Sequence, residues 1–257
     1  MNSPSPANAR LRLDELLVER GLFASRSRAR DAIERGTVTV DGIIVRKPGQ
    51  AVAPDRLIAI DDPAQAYVSR AALKLIAGLD HFGLDPSDAE ALDIGASTGG
   101  FTQVLLERGA AHVTAIDVGH GQIHADIAGD PRVTVIEGLN ARDLIGGDLG
   151  GRIPDFLVCD VSFISLKLAL PPALALAANG ARALLLVKPQ FEAGREAIGK
   201  GGLLKDHAEA ERTAGGLRDW LAGIAGWRVL GLIPSPIEGG DGNREFLLAA
   251  IKDATTR

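Results

Sequence analysis

The sequence predicts an α/β protein: a mostly parallel, doubly wound sheet closed by an antiparallel hairpin, with a small α+β module in front. Three observations predict it. From Tyr67 onward, strand-like apolar runs alternate with amphipathic helical stretches, the pattern of a sheet covered on both faces. Leu92-Asp-Ile-Gly-Ala-Ser-Thr-Gly-Gly100 is an apolar strand running into a Gly-rich turn with a helix behind it, which lets a nucleotide-like ligand approach the backbone closely. Residues 1–60 carry a net charge of +3 against −8 for the remainder, so an anionic partner meets the front module first.

Residues 1–9 have no apolar core, which argues for a flexible tail rather than a signal peptide. Arg12 to Gly21 has helical apolar spacing and a glycine stop. Ser25 then caps a second helix, Arg26 to Arg35, that ends at Gly36. Asp41-Gly42 between Thr37–Val40 and Ile43–Arg46 is a short hairpin signal. Lys47-Pro-Gly49 makes a further turn before the extended segment Arg56–Ile60. Helix, basic helix and Asp-Gly hairpin in this order resemble the S4 RNA-binding domain. That resemblance, with arginines suited to phosphate contacts, makes Arg12, Arg26, Arg28, Arg30, Arg35, Arg46 and Lys47 the candidate RNA-binding residues. The predicted organisation is 1–60 for this domain, 61–66 as linker and 67–257 for the α/β domain.

Within the larger domain the pattern predicts a helix over Ser69–Phe82 and another from Phe101 to Arg108. Strands are expected at Ala91–Ile94, Val113–Asp117, Val133–Ile136, Phe156–Asp160, Ala183–Lys188, Val229–Ile233 and Glu245–Ile251, with a clear late helix over His207–Ile224. The last two strands are joined by Pro234 to Asn243 with no helix, so they pair antiparallel. The long apolar region Leu166–Val187 is broken by Lys167, Pro171-Pro172, Asn179-Gly180 and Arg182, which excludes a membrane span. One cysteine allows no internal disulfide or Cys-cluster metal site, and it implies a reducing compartment; Cys159 reads as a small core residue. The five scattered histidines give no metal-ligand set.

The turn has Gly-x-x-x-Gly-Gly spacing, unlike the dinucleotide and phosphate-cradling motifs, and no lysine follows to hold a phosphate. Asp93 in the strand end would repel a pyrophosphate but suits an amino group, and Asp117 is placed for a ribose about 20 residues on. Adenosine plus an amino acid without phosphate describes S-adenosylmethionine. Its candidate ligands are Asp93, Gly95, Ser97, Thr98, Gly99, Gly100, Asp117, Asn140 and Asp160.

Four charged residues stand where apolar ones are expected. Asp160 and Lys188 end parallel strands, and ligand crevices form at those carboxyl ends. Glu245 begins a strand running the other way, so its start shares their edge, and the helix carrying Lys74 can lie across it. Lys74, Asp160, Lys188 and Glu245 resemble the Lys-Asp-Lys-Glu tetrad of FtsJ-type RNA ribose 2′-O-methyltransferases. The closer resemblance is to the TlyA/hemolysin-A-like family. It is carried by Tyr67-Val-Ser-Arg70, Leu92–Gly100, Asp117-Val-Gly119, Asn140-Ala-Arg142, Asp160 to Ser165, Val187 to Glu192 and Gly242-Asn-Arg-Glu245.

The resemblance implies a Rossmann-like class I methyltransferase sheet behind an S4 domain, catalysis by the four residues, and S-adenosylmethionine as cofactor without a metal. It implies a cytoplasmic enzyme acting on cytidine ribose in ribosomal RNA or a ribosomal subunit, with no membrane and no protein partner indicated. Members modify large-subunit rRNA alone or both subunits, in step with short terminal extensions; a chain stopping soon after the last strand leans toward the narrower activity. Two alternatives are weighed. A non-catalytic RNA-binding factor on the same scaffold leaves the four charges without a purpose. A cytolysin, a name the family has carried, finds no signal, span or amphipathic repeat.

Overall fold

In a computed structural model, residues 10–253 are described; the tail expected over 1–9 lies outside them. The chain divides into two compact units, residues 1–65 and 66–257.

The first unit starts with β1 (Leu11–Arg12), which pairs antiparallel with β4 (Ala51–Val52). Arg12 therefore belongs to a strand rather than to the helix expected from it, and α1 covers Leu13–Glu19. Helix α2 (Arg26–Arg35) is capped at Ser25, whose hydroxyl accepts the Arg28 N–H at 3.3 Å, and it ends at a left-handed Gly36, φ 79°. Strands β2 (Val38–Val40), β3 (Ile43–Ile44) and β5 (Ile58–Ile60) form a small antiparallel sheet in the order β3-β2-β5. The last strand starts later than the sequence suggests because its lead-in wraps the hairpin turn. The Asp41 carboxylate accepts Arg56 Nη1 at 2.9 Å and the Leu57 N–H at 3.2 Å. Leu13, Leu16, Leu17, Ala32, Ile33 and Val38 fill the core.

Residues 61–65 stay with this unit. Arg35 grips the carboxylate of Asp62 with both terminal nitrogens, at 2.7 and 2.8 Å, and Asp31 with its Nε at 2.9 Å. The Arg35 and Asp62 side chains are 15% and 2% exposed, so this arginine acts as a structural clamp.

The second unit is built on a seven-stranded sheet in the order β11-β12-β10-β9-β6-β7-β8. The strands are β6 (Glu90–Ile94), β7 (His112–Asp117), β8 (Val133–Glu137), β9 (Phe156–Cys159), β10 (Arg182–Val187), β11 (Trp227–Pro234) and β12 (Phe246–Lys252). Six run in one direction, and β12 alone is reversed, wedged between β10 and β11. Helices α3 (Ala72–Phe82) and α4 (Gly100–Glu107) cover one face with Leu75, Leu79, Phe101 and Leu105. On the other lie α6 (Leu166–Ala169), α7 (Pro171–Leu176) and α8 (His207–Ala222), reached after the short α5 (Ala125–Ala128) between β7 and β8. Helix α3 begins three residues later than its pattern, because Ser69 spends its hydroxyl on the Ala71 N–H in a preceding turn. Cys159 is a buried core residue, and burial pushes its thiol up, out of reach of reactivity.

The strand order reverses between β9 and β6, which places a crevice at their carboxyl ends. Register fixes what surrounds it. Val187 lies opposite Phe246, and Cys159 lies opposite both Leu185 and Ile94. Asp160, Lys188 and Glu245 are thus the first residues beyond their strands, all on one edge.

Replacing Arg35 by Ala should leave Asp62 buried without its cation. Removing one partner of such a pair costs about 3–5 kcal/mol. Urea unfolding should show the small unit melting at markedly lower denaturant while the larger unit is unmoved.

Candidate active site

Strand β6 delivers the chain to the crevice, and the turn there has no room for a side chain. Gly95 has φ 84°, and a Cβ on it would sit 2.8 Å from the Asp160 carbonyl oxygen. Gly99, φ 94°, is the left-handed residue that starts α4, and Gly100 lies so close to Ser69 that a Cβ would come within 2.8 Å of its Cβ. Asp117, one strand over, locks this turn: its carboxylate accepts the Ser97 N–H at 2.8 Å and the Gly119 N–H at 2.7 Å. Each of its oxygens retains a second lone pair for a ligand.

Gly95, Ser97, Asp117, Asn140 and Asp160 line a cavity of about 1050 Å³. Apolar walls come from Ile116, Val118, Leu139, Phe163 and Leu168. Asp93, Thr98, Gly99 and Gly100 are not among the residues that line it; Asp93, Gly99 and Gly100 are buried, and Thr98 is exposed. Thr98 contributes its carbonyl to the His124 N–H at 3.1 Å.

Asp93 is the clearest departure from the sequence reading. Its side chain is fully buried beneath the turn, where one oxygen accepts the Thr102 hydroxyl at 2.6 Å and the other has no partner. Burial, reinforced by the Asp160 and Asp117 carboxylates and only partly offset by Thr102, pushes its pKa up to about 7. The residue type pointed to a ligand; the helix that starts behind the turn supplies a hydroxyl that holds it instead. No sequence pattern marked Thr102.

The four charges form two ion pairs. Lys74 donates to Glu245 across 171 residues of sequence, and both are almost wholly buried. Lys188 Nζ stands 2.6 Å from Asp160 Oδ1 and donates to the Ser162 hydroxyl at 2.8 Å. The pairs feel one another. Burial raises the Glu245 pKa, Lys74 and then Lys188 pull it down, and Asp160 pushes it up. The sequence reading brought these four together but missed Ser162, which sits in the Asp160–Ser165 stretch as an ordinary polar loop residue. It also missed Phe163, a bulky side chain 89% exposed at φ 65° and tilted against Phe191 with centroids 5.0 Å apart. The loop carrying it is fastened by Glu192, which accepts the Ser165 hydroxyl and the Leu166 N–H at 2.5 and 2.7 Å.

An FtsJ-like methyltransferase family model matches residues 67–252, and an S4 domain model matches residues 11–58. The chain belongs to the FtsJ-like methyltransferase family. Within it, this methyltransferase falls in the TlyA/hemolysin A group, and its cofactor is S-adenosylmethionine. It is 44% identical over 240 residues to the 16S/23S rRNA (cytidine-2′-O)-methyltransferase TlyA of Mycobacterium tuberculosis, covering 93% of this chain and 89% of that one. It is 38% identical to hemolysin A of Brachyspira hyodysenteriae, covering 92% and 98%. The 23S rRNA (cytidine-2′-O)-methyltransferase TlyA of Campylobacter jejuni is 32% identical, covering 93% and 99%. A Streptococcus thermophilus protein solved under the hemolysin name is 39% identical, with a TM-score of 0.74 over 95% of this chain and 89% of that chain.

The cavity suits this cofactor on its own terms. Apolar walls accept an adenine ring, Asp117 keeps lone pairs for ribose hydroxyls, and the carboxylates favour a cationic ligand over a phosphate.

The candidate RNA-binding residues divide. Arg30, Arg46 and Lys47 are exposed. Arg46 also donates to the Glu34 carbonyl at 3.1 Å, near the end of α2. Arg12 and Arg26 both hold the buried Asp14, with contacts of 3.0 and 3.2 Å, and Arg28 donates to the Ala64 carbonyl at 3.1 Å. Arg35, clamped on Asp62, is not brought to the free surface.

The Asp93 environment predicts a pH effect. Its folded pKa of about 7 lies above the unfolded value near 3.9, so the fold binds this proton more tightly than the unfolded chain. The cofactor-free protein therefore loses stability as pH rises from about 4 to about 7 and no further beyond. Between pH 5.5 and 8, denaturation of the native protein should show a loss of roughly 2 kcal/mol that Asp93→Asn does not show. Parallel stability curves for the two proteins would contradict this environment.

Proposed function

We propose that the protein transfers a methyl group from S-adenosylmethionine to the 2′-hydroxyl of cytidine in ribosomal RNA. The large subunit is the target common to the two named relatives, one of 16S/23S and one of 23S specificity, and we propose it as the substrate here. The observation that carries the reading is the pair of lysine–carboxylate contacts on one edge of the sheet, one of them made by Asp160, which also lines the cavity.

A ribose hydroxyl is a poor nucleophile at neutral pH, so the site must take or share its proton as the oxygen attacks. The cofactor supplies a methyl group made electrophilic by a sulfonium. Lys188 is proposed as the proton acceptor, or as the cation that stabilises the forming alkoxide. Two contacts aim its amine: Asp160 at 2.6 Å and Ser162 at 2.8 Å. Lys74 is a second cation of the same cluster, held on Glu245, whose carboxylate feels both lysines. Asp160 orients the Lys188 amine. Glu245 fixes Lys74 so that the amine does not swing into the substrate space. Gly95, Ser97, Asp117 and Asn140 are proposed to hold the cofactor, with Asp93, Thr98, Gly99 and Gly100 setting the turn. Much of the rate then comes from holding the oxygen in line behind the methyl carbon.

The N-terminal unit is proposed as the rRNA anchor, through Arg30, Arg46 and Lys47 first, with Arg12, Arg26 and Arg28 reaching phosphates from their structural posts. The alternative of a non-catalytic RNA-binding factor does not explain two lysines held on carboxylates at one edge of the sheet, one of them buried. The cytolysin alternative finds no support among the described residues, none of whose helices is long and apolar enough to cross a membrane.

Lys188→Ala should lose methyl transfer to rRNA by about two orders of magnitude or more, while cofactor and RNA still bind. Alkaline hydrolysis of the native product should leave one uncleaved linkage at a cytidine; normal cleavage there would refute the ribose assignment. Mapping that block in isolated large and small subunits tests the subunit assignment separately. The double replacement of Arg30 and Lys47 by Ala should lower the salt slope of rRNA binding by about 2, with cofactor affinity unchanged. An unchanged slope would remove these residues from the RNA surface.

A further inference from the structure

Asn243 belongs to the Gly-Asn-Arg-Glu stretch that ends at Glu245, yet nothing in the proposed chemistry uses it. It is 3% exposed, one of few buried polar side chains. Its whole amide is engaged. The oxygen accepts the Leu204 N–H at 3.0 Å, and the nitrogen donates to the Gly202 carbonyl at 3.0 Å and to Asp241 at 2.8 Å. Its backbone is fixed as well: its N–H donates to Asp241 at 3.2 Å, and its carbonyl accepts the Gly239 N–H at 2.9 Å.

The two carbonyl and N–H groups it reaches lie in a hairpin between β10 and α8. That hairpin closes on itself. Ile198 and Leu204 form an antiparallel bridge, with Gly199 N–H to the Leu203 carbonyl at 2.7 Å and Lys205 N–H to the Ala197 carbonyl at 3.1 Å. Its Ile198 is part of the cavity wall, as is Gly194 just before it. Leu204 packs on the core. Among the described side chains, both hydrogen bonds from residues 198–204 to the rest of the unit end on the Asn243 amide. On the other side of Asn243, the loop folds tightly around the catalytic carboxylate: a Cβ at Gly239 would lie 2.8 Å from both Asp241 Oδ1 and Glu245 Oε1.

We infer that Asn243 is a positioning residue that latches the 197–205 hairpin to the loop bearing Glu245, so that one wall of the cofactor cavity and the Lys74–Glu245 pair are fixed to each other. Asparagine is suited to this because it offers an acceptor and two donors from one short, uncharged side chain. An aspartate there would keep the acceptor for Leu204 but lose both donors, and it would bury a second charge against Asp241. The inference rests on the reading that the cavity takes S-adenosylmethionine, and the test separates the two.

Hydrogen exchange and calorimetry with S-adenosylhomocysteine on the full chain test it in Asn243→Ala and Asn243→Asp. Exchange at the Leu204 and Lys205 amides should accelerate in both variants, with the amides of β10 and β12 unchanged. Affinity for S-adenosylhomocysteine should fall roughly tenfold, the scale of one lost buried hydrogen-bond set, and kcat for methyl transfer should fall along with it. A locally unchanged exchange rate overturns the latch. So does faster exchange spread over the whole sheet, which would make Asn243 a general stability residue. If the native protein binds no S-adenosylhomocysteine, the cofactor reading fails, while the exchange data still decide whether the hairpin is latched by Asn243.

Discussion

The catalytic unit depends on running one strand backwards. Had β12 joined the sheet parallel to β10, its first residue would lie at the opposite edge, more than 15 Å away at about 3.3 Å per residue. Reversed, it places Glu245 next to the exits of β9 and β10, where Asp160 and Lys188 leave the sheet. The reversal also creates a site for Lys74, because α3 crosses the same edge and needs a carboxylate to bury its amine against. A buried lysine without a partner would cost several kcal/mol or give up its proton. Topology, burial and charge pairing are therefore one constraint.

The same edge explains the unusual state of Asp93. The turn at Gly95 is pressed so closely onto the Asp160 backbone that the residue two before it has no route to solvent. Its carboxyl must be satisfied inside, and Thr102 satisfies half of it. The residual unpaired oxygen and the two neighbouring carboxylates, Asp160 and Asp117, hold the Asp93 carboxyl toward its protonated form.

Much of this was legible in the sequence because it is local. The strand–turn–helix around Gly95, the basic second helix with its Ser25 cap, and the terminal hairpin each declare themselves within one continuous stretch of sequence. The convergence of Lys74, Asp160, Lys188 and Glu245 was legible because three of them interrupt apolar runs at positions that the parallel order sends to one edge. What escaped depends on partners far away in sequence or chosen by burial. Arg35 looked like one more phosphate-seeking arginine until Asp62, 27 residues on, claimed it. Asp93 looked like a ligand, and Thr102 nine residues later draws it inward. Asn243 stood in a stretch read only for Glu245, and its own role depends on a hairpin some 40 residues earlier.

The central claim is that the two ion pairs act as one proton-handling unit, not as two independent contacts. A double-mutant cycle on Lys188→Ala and Glu245→Gln, read as single-turnover methyl transfer to rRNA at saturating cofactor, addresses it directly. Groups that work as a unit are strongly non-additive, the double variant being little worse than the poorer single one. That is the result expected here. Losses that simply multiply across the cycle would show that the pairs act separately and would contradict the account.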